Sequence, residues 1–449
     1  MPDAPVHRSP ARTTAALLLT LTTVLVTGAV TLVSVRSHTP SPLERTDAEV
    51  VADTLPRLAF VREALDEGAG PDMQALFPEG YFFTHALYGL TWLAVAQRDP
   101  GLRDEALAEA RWTLERLYSP EGTAPFPTLA VPSHGVFHAG WSTWLRGQIV
   151  AVAGGPEEAP EEMAALDSAA EELASAFEAS LARGVPYLAA YPGQAWPVDS
   201  VVAMAALRLR DHLAGEDRYA PLFRVWMTQV RARLDPATGL IPHRVDPVTG
   251  QMLQGARATS QTLLLRFLFE LDPEWAAADY TVFRQLFASD VAMLPGVREF
   301  PRGDDSPGDV DSGPLVFGLS ASASTVAIAD AVLAGDTATA AALTGFAEAT
   351  GTAVEWGGKR RYLGGLLPVG DAFLMWALAT TPAVPVQVPA VPADTVSPWW
   401  RLPWYVLVLL PTAALLWATV RAWRPPRRPR PPEEGGPPAP PSGAVPTSH

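Results

Sequence analysis

Cysteine is absent from the 449 residues, and lysine is nearly so, with Lys359 standing alone. Without thiols the chain has no disulfide framework, no thiolate nucleophile and no sulfur ligand for a metal. Charged residues make up 18 %, below the quarter usual in globular chains. Positive charge is the scarcer sign, and the formal net charge is −15. Seven arginines face three acids outside residues 36–402, so that stretch carries −19. Such a surface repels polyanions, and no nucleic-acid partner is expected.

Long apolar runs occur in two places. Thr13 to Val35 is 23 residues without a charge, about 34 Å as a helix against a hydrocarbon core of about 30 Å. Arg8 and Arg12 precede it, and its length favours an uncleaved anchor over a signal peptide. Pro403 to Val420 is the second run, with Trp399, Trp400, Trp404 and Tyr405 at one end and Trp417 and Trp423 at the other, as in interfacial aromatic belts. Arg421, Arg424, Arg427, Arg428 and Arg430 follow at once. The positive-inside rule places both termini in the cytoplasm. The expected organisation is a cytoplasmic N-terminus (1–12), a transmembrane helix (13–35), an extracytoplasmic domain (36–402), a second transmembrane helix (403–420) and a Pro/Arg-rich cytoplasmic tail (421–449). That tail has too little apolar residue content to bury a core and is expected to be disordered. Membrane lipid is the partner implied for the two spans.

Between the spans, charged amphipathic segments (44–67, 101–118, 160–183, 217–233, 273–290, 335–350) alternate with segments apolar almost all round (82–97, 136–153, 198–213, 258–271, 313–333, 367–380). A helix apolar on every side must be buried on every side, whereas one apolar stripe suits a surface. Polar residues near the start of each apolar segment (Thr84, His138, Asp199, Thr259, Ser312 and Asp371) recur at roughly 57 residues, the mark of a repeat architecture. Six hairpins with buried inner helices close naturally into a double ring, an all-α (α/α)6 toroid. Residues 236–256 interrupt the pattern, and Asp246-Pro-Val-Thr-Gly250 reads as the turn of a small β-hairpin on one rim. This arrangement resembles the six-hairpin glycosidase-type (α/α)6 toroids over nearly all of 44–380. The resemblance implies a site where loops lead into inner helices, and an activity among glycoside hydrolases, polysaccharide lyases, sugar epimerases or the linalool dehydratase/isomerase group. The last uses cysteines, which this chain lacks.

The long loops (119–135, 184–197, 234–256, 291–312, 352–366) all precede inner segments, which puts candidate site residues on one face. Asp309 and Asp311 lie in Gly303–Pro314, before the fifth inner segment. They read as an acid/base pair, as metal ligands in a calcium-loop fragment without its distal Glu, or as helix caps. Asp199 follows Pro197 and reads as either a cap or a site carboxylate. Its neighbours Tyr191 and Trp196 offer the ring faces a sugar cleft uses. Asp199 and Asp311 facing one another would suit glycosidic cleavage, which needs one protonated and one ionised carboxyl. His134 and His138 are four apart, but Gly135 spoils the helical spacing for zinc, and a rim histidine in a hydrogen bond is the alternative. Tyr88 (with His85) and His243 (with Arg244) are further binding candidates, or satisfied core residues. Arg257 is placed to fork onto a ligand carboxylate or onto Asp309 and Asp311. Lys359-Arg360-Arg361-Tyr362 reads as an exposed basic loop or the far wall of the cleft.

The expected function is glycosidic hydrolysis by Asp199 and Asp311 as acid and base, with His138 and Arg257 assisting and Trp196, Tyr191 and Tyr88 as stacking surfaces, on a carbohydrate or other polyhydroxylated ligand, without metal or cofactor. Two alternatives stand beside it: a non-catalytic envelope binding or scaffold protein, and a lyase or isomerase using His and Tyr as base and acid.

Overall fold

Helix signals along the chain are strong and local. Thr46 and Glu49 form a reciprocal capping box at one helix start. Asp272, Ser320 and Asp336 cap three more, and Pro160, Pro197, Pro273 and Pro368 occupy first-turn positions where a missing N–H costs nothing. In the computed structural model, which describes residues 9–289, 291–392, 396, 397 and 399–424, these signals bound sixteen α-helices. The expected cytoplasmic N-terminus and disordered tail fall largely outside the described residues.

The helices are α1 (Pro10–Arg36), α2 (Asp47–Asp66), α3 (Ala69–Leu76), α4 (Gly80–Arg98), α5 (Arg103–Leu117), α6 (Pro120–Thr123), α7 (Gly135–Ala153), α8 (Pro160–Leu181), α9 (Pro197–Ala214), α10 (Ala220–Arg231), α11 (Ala258–Leu271), α12 (Pro273–Phe287), α13 (Ala321–Leu333), α14 (Thr337–Thr350), α15 (Pro368–Leu378) and α16 (Arg401–Trp423). Three two-stranded antiparallel ribbons join them: β1 (Arg244–Val245) with β2 (Met252–Gln254), β3 (Val297–Arg298) with β4 (Leu319–Ser320), and β5 (Val354–Trp356) with β6 (Lys359–Arg361).

Residues 31–406 form one unit. Within it, α4, α7, α9, α11, α13 and α15 each pack on the next, and α15 returns to α4, closing an inner ring. The helices α2, α5, α8, α10, α12 and α14 lie outside it, each preceding an inner helix in the chain. The architecture is an (α/α)6 toroid. Burial follows the sequence pattern. Every residue of α4 from Gly80 to Ala96 is buried, whereas α10 buries only Trp226 and Val230, four apart on one stripe. The ring's axis is filled by aromatics from four inner helices. Trp141 meets Phe267 edge-on at 5.1 Å, and Phe83 at 5.3 Å and Trp376 at 6.1 Å close the cluster. Each such pair is worth about 0.5–1.5 kcal/mol beyond burial.

Two sequence expectations change. The fifth inner helix starts at Ala321, not 313, because Gly313, Phe317 and Gly318 hold left-handed backbone (φ +65°, +52° and +79°) that no helix accommodates. The Lys359–Arg361 stretch is strand β6 rather than a basic loop. It packs on α2 through ion pairs of Lys359 with Glu63 and of Arg360 with Asp53, and Arg360 also pairs with Glu348 of α14.

The other unit holds the outer ends of α1 and α16. Both helices are long and apolar enough to cross a membrane, and most of their side chains are exposed, such as Leu18 at 61 % and Leu410 at 66 %. They meet through a Thr23–Thr419 hydroxyl contact of 2.7 Å and a hydrogen bond of 2.8 Å from the Trp423 indole to Thr20.

Candidate active site

The loops entering four inner helices meet around a cavity of about 360 Å³, near the small end of the range for ligand sites, about 300–1,000 Å³. Each loop is fixed locally. The 184–196 segment is pinned to α9 by the Leu188 N–H bonding to Ser200 Oγ at 3.0 Å, and it turns tightly at Gly193 (φ +72°). Its far end pairs with β1 through the Val245 N–H and the Ala195 carbonyl at 3.0 Å. These bonds bring Tyr191, Gln194 and Trp196 beside His243, Arg244 and Gln254. The base of the β1–β2 ribbon is tied by Asp235, whose carboxylate accepts from Ala237 N–H and Ala256 N–H, each at 2.9 Å. The fourth segment carries Asp309, Val310 and Asp311. There Asp309 accepts the Asp311 and Ser312 N–H groups in an Asx turn.

Asp309 is held by Arg257, whose guanidinium forks onto both carboxylate oxygens at 2.5 and 2.8 Å. The Nε of the same arginine bonds to Glu299 at 2.9 Å, and Glu299 also accepts the Thr259 hydroxyl at 2.6 Å. This fork holds the Asp309 carboxyl down at about 2. Arg257 therefore stands behind Asp309 as a buried support, paired with both Asp309 and Glu299.

Three other carboxyls behave oppositely. Asp199, in the first turn of α9, is 5 % exposed and its carboxyl accepts no hydrogen bond from the described residues. Burial holds its carboxyl well above the usual range, reinforced by Glu79 and then Asp311. Burial also raises Asp311, with the Asp309 charge adding to it and Arg257 opposing. Glu79, at the N-cap of α4, is raised by burial against a hydrogen bond from the Tyr191 hydroxyl. The charges of Glu79 and Asp311 raise Asp199, and that of Asp311 raises Glu79; Glu79 and Asp311 line the cavity. Neither aspartate caps a helix. Trp196 is the N-cap residue of α9, and Ser320 caps α13. His243 donates or accepts with Ser260 at 2.5 Å, and burial lowers its ring to about 3. Its 3.8 Å approach to Asp311 is therefore a contact of a neutral ring and not an ion pair.

Asp199, Asp309, Asp311, Tyr191, Trp196, His243 and Arg257 are thus gathered at one rim. The other three candidates lie elsewhere. Tyr88 turns toward α5 and donates to Glu109 at 2.9 Å, beside Trp112. His138 contacts the Leu117 carbonyl at 3.0 Å among Phe82, Phe126 and Tyr118. Burial lowers His138 to about 4. His134 precedes α7 in left-handed backbone (φ +63°) and its ring meets that of His138 at 5.1 Å. Glu79, Gln194 and Gln254 were not anticipated. Glu79 had a signal, an acid directly before a fully apolar helix, in the position Asp199 nearly occupies in its own repeat.

A larger groove of about 570 Å³ is lined by α12, α14, Pro392, Val396 and Ser397. Among the described residues its lining carries no carboxyl and no histidine.

No protein-family profile and no curated protein sequence matches the chain. Among solved structures it is similar to an unsaturated glucuronyl hydrolase specific for heparin, at a TM-score of 0.48 and 13 % identity over 74 % of this chain and 96 % of that one. It is also similar to an unsaturated glucuronyl hydrolase from Streptococcus agalactiae, at a TM-score of 0.38 and 12 % identity over 66 % and 80 % of the two chains. Likeness at this level transfers neither a substrate nor catalytic residues.

Proposed function

We propose that this protein is a membrane-anchored, carbohydrate-active toroid that cleaves a glycosidic bond outside the cytoplasm. The observation that carries the reading is the carboxyl group of Asp199, buried, without a hydrogen-bond partner among the described residues, and pushed up by burial and by the charges of Glu79 and Asp311, which line an aromatic-rimmed cavity. Asp199 serves as general acid and gives its proton to the leaving glycosidic oxygen as the C–O bond breaks. Asp311, the more exposed of the two, serves in its ionised form as base. It takes a proton from the water whose oxygen bonds to the anomeric carbon. Glu79 keeps the Asp199 proton in place through its charge, and Tyr191 and Trp196 present faces to the sugar's C–H surface. The His–Tyr alternative has less support, since Tyr88 and His138 lie away from the cavity.

The anchor reading rests on the two apolar helices and on the arginines that flank both outer ends. It places both termini in the cytoplasm and residues 36–402 outside. Tags at either terminus should be cut by protease only in inside-out vesicles, and cleavage in right-side-out vesicles would reverse the orientation. For the chemistry, the full chain in detergent micelles is assayed against a panel of oligosaccharides. Asp199→Asn and Asp311→Asn should each lower cleavage by about 10²–10⁴-fold while helical content is kept. Unchanged turnover in both folded variants would remove the carboxyl mechanism.

A further inference from the structure

The charge around the cavity bears on what kind of sugar it accepts, and the inference rests on the carbohydrate reading above. Glu79, Asp309 and Asp311 line the space, and the buried Asp199 lies within reach of the charges of Glu79 and Asp311. Arg257 is engaged by a two-pronged bond to Asp309 and a third bond to Glu299, a residue with no exposed surface. Its charge is therefore already matched by two carboxylates. The His243 ring is neutral and 3 % exposed. Arg244 is then the sole cation among the described lining residues, partly buried on β1, and its side chain makes no hydrogen bond or ion pair among them.

Acids outnumber cations even with Asp199 protonated. The asymmetry is built into side chains that the protein leaves unsatisfied. Among the described residues, the Asp199 carboxyl accepts no hydrogen bond although it is nine-tenths buried, and the Asp311 carboxylate has no partner closer than the 3.8 Å contact with the neutral His243 ring. Carboxyls this close repel one another until a cation or a proton enters between them. A ligand carboxylate would add to that repulsion, and neutral hydroxyls would leave it unchanged. An ammonium would relieve it and would supply the donors these acceptors lack.

We propose that the cavity selects a sugar bearing a free ammonium group, bound against Glu79 and Asp311, over neutral sugars and over uronates.

The test is calorimetric titration of the full chain in micelles at pH 6 with glucosamine, glucose and glucuronate. Glucosamine should bind about tenfold or more tightly than glucose, and glucuronate should bind weakest. Asp311→Asn should shrink the glucosamine-to-glucose ratio toward one, and Arg244→Gln, at a half-exposed position, should widen it. Equal binding of glucosamine and glucose would overturn the selectivity while leaving the sugar site standing. Tightest binding of glucuronate, lost in Arg244→Gln, would overturn it in favour of carboxylate recognition by that arginine. Should none of the three bind, the carbohydrate reading itself falls and the selectivity falls with it.

Discussion

Replacing Asp371 by Asn should stabilise the toroid at neutral pH, by an amount that depends on pH in a defined way. Asp371 lies in the first turn of α15, 2 % exposed, with one oxygen accepting the Tyr362 N–H at 2.8 Å. Burial pushes its carboxyl up to about 8, with Arg57 and Arg361 pulling the other way. In the unfolded chain the same group titrates near ~3.9. Between these values the folded protein holds a proton that the unfolded chain has released, so stability falls as pH rises through that window and the penalty is absent below it. At about 1.36 kcal/mol per pH unit, the penalty reaches a ceiling of about 4 kcal/mol at pH 7 and about 1.5 kcal/mol at pH 5. Asparagine removes the ionisation and keeps an amide oxygen for the Tyr362 N–H. Guanidinium unfolding of the full chain in micelles, followed by circular dichroism, should show Asp371→Asn more stable than wild type at pH 7 and much less so at pH 5. An equal gain at both values, or a loss at both, would refute the account of a buried, protonated carboxyl.

Arg257→Ala should cost about 3–5 kcal/mol, because it leaves Glu299 charged and buried without its partner and frees Asp309; thermal melts against wild type measure the loss. Gly135→Ala should destabilise by at least about 2 kcal/mol. Gly135 sits at φ +82°, and an added Cβ would lie 2.1 Å from the Ala190 carbonyl oxygen. A melting temperature unchanged in that variant would mean that the loop before α9 can withdraw from the start of α7.

Much of the ring could be read from hydrophobicity alone. The apolar segment expected at 258–271 is helix α11 to the residue, and the turn at Asp246–Gly250 does join β1 to β2. A fully buried helix has no polar face to confuse the signal, which is why the inner ring was the clearest part. The start of α13 was not legible. Leu315-Val316-Phe317 extends the apolar run backward, and nothing in hydrophobicity reveals that Phe317 holds a left-handed backbone. The β5–β6 ribbon was also missed, although Gly357-Gly358 between Trp356 and Lys359 is a two-residue hairpin turn.

At the site, depth decided which polar residues share the cavity. Glu79 precedes α4 and Asp199 stands in the first turn of α9, at the open rim. Tyr88 lies nine positions beyond Glu79, about 13 Å down the helix at 1.5 Å per residue. At that depth a hydroxyl finds its partner on an outer helix. Composition marks both kinds of position alike as polar residues in an apolar helix, and only the distance from the helix start separates them.

Closure of the inner ring has a kinetic side. The seam is the contact of α15 with α4, which begin at residues 368 and 80. Around the ring itself, every other step from one inner helix to the next joins neighbours in chain order, so five hairpins are able to assemble as an open arc before the sixth arrives. Until then the two end helices present bare apolar flanks, and the arc is sticky toward other copies of itself. The last step joins segments far apart in sequence, the kind of contact that slows folding most.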